Sequence, residues 1–453
     1  MNTTLLFESP YFDNHLHANE MVEILQCAFS SVDPCRAVKQ AVHFSEAGLQ
    51  INDTTVLFDA RKDKILVWGL GKASQSMARG LKSVLGTKIS NGTLITKHAN
   101  PELEKFLLPD IVTFEGSHPI PSVKSINAVE SSMKRIGKLH NEDLVIALIS
   151  GGGSALAICP QEGIQLEDYQ AMTKALLDCG ATIHEINIIR KQIDRIKGGG
   201  LAKMLSPARV VSLILSDVIG DPLDMIASGP TVPSKHTKQE ARAVIEKYGI
   251  KAKVPPAIRS FLEREDRTDT SDLIHGECEQ DIRNFLVGSN VMAANAAKEA
   301  ALRLGFQTEV VSTNLQGEAR TVGSQLGRDL KRKIEEKPGK CCWIYGGETT
   351  VTIRGSGKGG RNQELALSAA QELAGVRGGC ILSIATDGED GPTDAAGAVA
   401  DGDTLRVGAS LGLDLQQFLK NNDAYSYFER VGGLIKTGPS GTNVNDLVLL
   451  LAF

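Results

Sequence analysis

The feature that most constrains this chain is a repeated pairing: a short, wholly apolar run that stops at glycine or a small polar residue, then a helical stretch. KILVWGLG (64–71) precedes KASQSMARGLKSVLG, LVIALISGGG (144–153) leads into small residues and later helices, and RVVSLILSDV (209–218) opens a long loop. Apolar runs without polar alternation need cover on both faces, and intervening helices supply it. The pattern predicts an α/β fold with a parallel sheet. It is interrupted at residues 250–281, where two prolines, dense charge and weak periodicity mark a linker. FLVGSN (285–290), TEVVST (308–313), CCWIYGGETTVTI (341–353), CILSIATDG (380–388) and the terminal DLVLLLAF then read as further strands. The expectation is two α/β domains, residues 1–265 and 266–453. The first is a Rossmann-like three-layer sandwich around a parallel sheet, the second a further α/β domain, with a cleft between them.

In open α/β sheets, ligands bind beyond the carboxyl ends of the strands. GLGK, ISGGGSA, LSDVIGD, YGGETT and ATDGEDG all stand at such ends. Glycine there admits positive φ and lets backbone N–H groups approach a ligand closely. Five such turns in one chain point to a shared site. Familiar nucleotide motifs fail. Gly69-Leu70-Gly71 has Ser74 where a dinucleotide fingerprint needs a third glycine, and no carboxylate follows before Glu102. A P-loop ending at Gly71-Lys72 would need glycine at Leu66 and Ser or Thr at Ala73. Protein-kinase signatures are also missing.

The remaining charged residues suit an anion. Lys72 follows a strand-end turn at the expected start of a helix, where a cation is unfavourable unless an anion sits between. Gly71 and the loop Ser150-Gly151-Gly152-Gly153-Ser154 offer backbone donors and two hydroxyls as a nest for carboxylate or phosphate. Arg190, Asp194 and Lys197 share one helical face, which reads either as a solvated salt-bridged stripe or as part of the site. Asp217 and Asp221 flank a strand end and suit Mg²⁺ or a hydroxyl, whereas Asp224 reads as a surface group. Glu348 ends a strand. Arg361, at a helix start after GSGKGG, suits a phosphoryl group. Asp387 lies in an acidic turn that does not fit an EF-hand. Lysine, arginine and carboxylates on strand ends, without a Ser–His pair or metal-ligand cluster, suit phosphoryl transfer, which needs positioning and charge stabilisation. They name no substrate.

Composition excludes some partners. The net charge of −5 gives no basic excess for nucleic acid or anionic membrane, and the apolar runs are strand-sized. The eight cysteines are scattered, and the first twenty residues lack targeting patterns, so reduced thiols and a cytoplasmic location are expected.

Eight blocks in order carry a resemblance: VDPCRAV (32–38), GLGKAS (69–74), GSHPIP (116–121), LISGGGSALA (148–157), NIIRKQIDRIKGGGLA (187–202), LSDVIGDPLDMIASGPT (215–231), GGETTVTIRGSGKGGRNQELAL (346–367) and ATDGEDGPTDAAGA (385–398). Together they resemble the glycerate 2-kinase family, with its C-terminal MOFRL region at about residues 340–453. The family's bacterial members are often labelled hydroxypyruvate reductases. The resemblance implies ATP- and Mg²⁺-dependent phosphorylation of D-glycerate on its 2-hydroxyl, giving 2-phosphoglycerate and ADP. It implies Lys72, Asp217 and Arg361 as catalytic residues, Asp217 also as a metal ligand, and Arg190, Glu348 and Asp387 as substrate- or phosphate-binding positions. MgATP and glycerate would meet in the interdomain cleft. Two motifs depart from the family: Gln192 and Asp194 replace a histidine and a serine, and Ser122 replaces an aspartate. The alternatives are an NAD(P)H-dependent hydroxypyruvate reductase or a kinase of another small hydroxy acid. Homodimerisation stays open.

Overall fold

The computed structural model describes residues 5–45, 48–56, 64–264, 281–336 and 339–453. They form two compact units, neither continuous in sequence: Pro34–Ser216 with Asp221–Val287, and Met1–Asp33 with Asp217–Gly220 and Gly288–Phe453.

The first unit is built on a six-stranded sheet in the order Ile111–Glu115, Ile89–Thr96, Ile65–Leu70, Leu144–Ile149, Arg209–Leu215, Ile282–Gly288. The first five strands are parallel. Ile65–Leu70 and Leu144–Ile149 are buried at every position, as central strands covered on both faces must be. Their register pairs Leu70 with Ile149, so both chains leave the sheet at one level and their loops emerge side by side. Helices Ser74–Leu85 and Val123–Ile136 join successive strands, and Ser122 N-caps the second through the amide of Lys124. Ile158, Tyr169, Met172, Ile186, Ile189, Ile245, Ile258 and Leu262 belong to a helical core beyond the sheet.

The second unit has a mixed six-stranded sheet: Gln307–Leu315, Cys341–Gly347, Asp446–Ala452, Gly379–Ala385, Gly397–Asp401, Leu434–Ile435. Its first pair is parallel and every later pair antiparallel. The terminal strand Asp446–Ala452 therefore lies at the centre, buried throughout, with Asp446 at its first position. Helices Ala319–Glu336 and Arg361–Glu372 pack closely: a Cβ on Gly323 would lie 2.1 Å from the Leu365 carbonyl oxygen.

Three organisational expectations change. The units are not the contiguous halves 1–265 and 266–453. Ala18–Ser31 joins the C-terminal unit because Met21, Ile24, Leu25, Ala28 and Phe29 form an apolar face against the alanine-rich helix Asn290–Arg303. FLVG belongs to the edge strand of the first sheet and opens no new domain. The first part of the expected linker is a helix, Pro256–Glu263, anchored by Ile258 and Leu262, while residues 265–280 lie outside the described ones. An antiparallel sheet of Val42–Ser45, Gly48–Ile51 and Thr54–Val56 was not foreseen. No helix among the described residues is long and apolar enough to cross a membrane. The seven described cysteines are free; Cys278 lies outside them.

Candidate active site

In the first unit, the paired strand ends bring GLGK and SGGGS together. The Lys72 amide donates to the Gly151 carbonyl at 3.0 Å, and the Ala73 amide to Ser150 Oγ at 3.1 Å. Gly71 sits at φ +118°, where a Cβ would lie 2.3 Å from Ser150 Oγ. Glycine is required there by both conformation and space. Gly152 is left-handed, at φ +82°, and a Cβ on it would meet His118 Cδ2 at 3.3 Å and Lys72 Cγ at 3.3 Å. The Lys72 stem and the His118 ring thus flank the loop, and Lys72 itself is exposed. His118 is pushed down to about 4 by burial first, then by the charges of Lys72 and Lys97, so it is neutral at pH 7. The amides of Gly151 and Gly152 donate to no acceptor among the described residues. Two unpaired amides thus stand beside an exposed lysine, the donor set that an anion nest requires.

Behind this loop lies a buried polar layer. Gly153 packs on the turn Ile226–Ser228, where Ala227, Ser228 and Gly229 all have positive φ, at +50°, +63° and +62°. Two successive non-glycine residues in that region store strain, which persists only where the surroundings enforce it. Ser154 Oγ lies 2.8 Å from Ser228 Oγ, and Ser228 donates to Asn187 Oδ1 at 2.9 Å.

The stripe Arg190, Asp194, Lys197 is not solvated. Lys197 Nζ is buried, 3.1 Å from Asp194 Oδ2, and donates to the carbonyls of Ser154 (2.9 Å) and Ala157 (3.1 Å). Asp194 also accepts from the amides of Cys159 and Ile196 and from the Tyr169 hydroxyl. This aspartate, which departs from the family motif, therefore anchors the far side of the glycine loop. Arg190 is half-buried, and its Nε is a buried donor with no partner among the described residues. An unpaired buried guanidinium donor is costly unless a ligand completes it. Asp224 is no free surface group: it binds the fully buried Lys191 at 2.8 Å.

In the second unit, Arg361 makes a forked pair with Asp446, Nε to Oδ2 at 2.5 Å and Nη2 to Oδ1 at 2.8 Å, and its Nη1 lies 3.3 Å from Glu348 Oε1. Burial drives the Asp446 carboxyl up to about 7 against the opposing pull of Arg361. Arg361 itself is raised, the bond and charge of Asp446 overcoming the effect of burial. Asn445, at φ +66°, donates to the Asp217 carbonyl at 2.9 Å and to Glu348 Oε2 at 3.0 Å. Asp217, Glu348, Asn445, Asp446 and Arg361 form one cluster, whereas Asp387 binds the Glu389 amide in its own turn.

Two sets of backbone donors beside this cluster are already filled. The N-terminus of Arg361–Glu372 is not open to a phosphate, because the buried Asp390 carboxylate already accepts from the amides of Asn362 and Gln363 at 3.1 and 2.9 Å. The GSGKGG loop is likewise tied down: the amides of Gly355, Ser356 and Lys358, with that of Arg354 before them, donate to Asn422, Asn421 and Asp423 side chains. Asn445, Asp446, Asn187 and Ser228 were missed. The only sequence signal for Asp446 was a lone carboxylate opening a fully apolar strand.

Residues 20–263 match the model of a domain of unknown function, DUF4147, and residues 341–446 that of the MOFRL family. The chain is 39% identical over 431 residues to a D-glycerate 2-kinase of Thermotoga maritima, covering 94% of this chain and 96% of that protein. It is 40% identical over 435 residues to a glycerate 2-kinase of Pyrococcus horikoshii, covering 94% of each. A crystal structure of glycerate kinase from Thermotoga maritima superposes with a TM-score of 0.82 at 37% identity, covering 96% of this chain and 99% of that one.

Proposed function

Because the chain belongs to the glycerate kinase family, we propose that it transfers the γ-phosphoryl group of ATP to the 2-hydroxyl of D-glycerate, giving 2-phosphoglycerate and ADP. The observation that carries this reading, beside that kinship, is the pairing of an exposed lysine with unpartnered amides at adjoining strand ends. The amides of Gly151 and Gly152 bind an anionic group, and Lys72 meets the charge of the transferring phosphoryl. Arg190, with its unpaired Nε, takes a substrate oxygen. Asp217 orients the 2-hydroxyl. The hydroxyl oxygen forms the new P–O bond, the bond to ADP breaks, and the hydroxyl proton passes to Asp217 or water. Arg361 contributes positive charge from a fixed position, held by its fork to Asp446 and by the nearby Glu348 carboxylate.

No group of three His, Cys, Asp or Glu side chains among the described residues gathers as a metal site. Mg²⁺ typically takes one or two carboxylates with phosphate oxygens and water, so these residues fit an ion that arrives with the nucleotide, with Asp217 as its protein ligand. When bound, it neutralises phosphate charge.

The test is ADP release with MgATP across a panel of small hydroxy acids, with the product identified by ³¹P NMR. ADP formation should depend on D-glycerate, and Lys72→Met should lower kcat/KM by at least roughly a hundredfold with an unchanged melting temperature. Oxidation of NAD(P)H by hydroxypyruvate without ATP, and no ADP release, would sink the reading.

A further inference from the structure

The hydroxyl of Ser154 has a fixed polarity. The polarity is set at Met225, whose thioether sulfur can only accept a hydrogen bond. Asn187 Nδ2 faces that sulfur at 3.6 Å, which turns Asn187 Oδ1 toward Ser228. Ser228 is fully buried, and its single proton goes to Asn187 Oδ1 at 2.9 Å. The 2.8 Å contact between Ser228 Oγ and Ser154 Oγ can then hold only if Ser154 is the donor. The one proton of Ser154 is therefore spent inward, and this half-buried hydroxyl presents only lone pairs to the loop.

That polarity contradicts a phosphate or carboxylate oxygen at Ser154 Oγ, where lone pair would face lone pair. It suits a substrate O–H. Nor can Ser154 serve as a base, because the relay ends in a carboxamide that takes up no proton at neutral pH. The hydroxyl it accepts is thus one that keeps its proton through the reaction.

Resting on the kinase reading above, we infer that Ser154 is a specificity-determining residue: its oxygen accepts the hydrogen bond of the non-reacting 3-hydroxyl of D-glycerate, while the neighbouring amides hold the acid's anionic end. A 2-hydroxy acid without that group, such as D-lactate, leaves the acceptor unpaired and is rejected.

The experiment compares kcat/KM for D-glycerate and D-lactate, with MgATP, in the wild type, Ser154→Ala and Ser228→Ala. In Ser154→Ala the preference for glycerate should fall by roughly tenfold or more. In Ser228→Ala it should fall less, because the freed Ser154 hydroxyl can still turn to accept. A purely structural role for Ser154 would lower both constants in proportion. An unchanged glycerate-to-lactate ratio in Ser154→Ala, in an enzyme that phosphorylates glycerate, overturns this inference alone. A wild type that turns over neither acid overturns the kinase reading and this one with it.

Discussion

At the scale of single residues, Arg361 joins charge chemistry to stability. Its forked pair neutralises a carboxylate that is buried at the head of a central strand. Removing one partner of a buried pair leaves the other uncompensated, so Arg361→Ala should cost about 3 kcal/mol of stability as well as activity. The deficit should depend on pH. The Asp446 carboxyl titrates at about 7 in the folded chain and near 4 when unfolded, so the native state holds the extra proton between those values. Stability from this group therefore falls as pH rises through that window. Without Arg361 the folded value climbs further, and the decline extends into alkaline pH. Melting temperatures at pH 6 and pH 9 check this: the gap between variant and wild type should be wider at pH 9. Lost activity with an unshifted melting curve would show that the pair carries no structural weight.

At the scale of elements, strand ends and helix ends behave differently. The turn after Leu144–Ile149 leaves the amides of Gly151 and Gly152 free, whereas the N-terminus of Arg361–Glu372 is closed by Asp390. Asp390→Ala should destabilise the second unit by about 1–3 kcal/mol, through lost capping and a buried helix end. Chemical denaturation followed by Trp343 fluorescence reads that cost; a midpoint matching wild type refutes it. The contrast also explains what sequence could reveal. Runs such as LVIALI followed by glycines announce a buried strand and a binding turn within a dozen residues, because burial and positive φ are local demands. The partners of GSGKGG are some 65 residues away in Asn421, Asn422 and Asp423. Ser154 meets Ser228 across 74 positions, and Arg361 meets Asp446 across 85. No local pattern marks such pairs, so donor-rich loops that are filled and those that are open look alike in sequence. The same limit hid the central place of DLVLLLAF, whose apolar run fits any covered strand.

At the scale of the whole molecule, the N-terminal helix Ala18–Ser31 is a component of the C-terminal unit. Its five buried apolar side chains cover the alanine face of Asn290–Arg303, and at about 1.5–3 kcal/mol for each large one they outweigh any single polar contact described above. Deleting Met1–Asp33 should leave the second unit aggregation-prone, and supplying those residues as a separate peptide should partly restore solubility. Light scattering of the truncated protein with and without the peptide decides it; a monodisperse truncated chain would show that the helix is dispensable.

That discontinuity has a consequence during synthesis. A ribosome adds roughly 5–20 residues per second, so the helix at Ala18–Ser31 emerges roughly 13–50 s before its partner at Asn290–Arg303 exists. Throughout that interval Met21, Ile24 and Leu25 lack the alanine face that covers them in the folded chain. The nascent chain thus carries an apolar helical face without its native cover, and slowing translation prolongs that exposure.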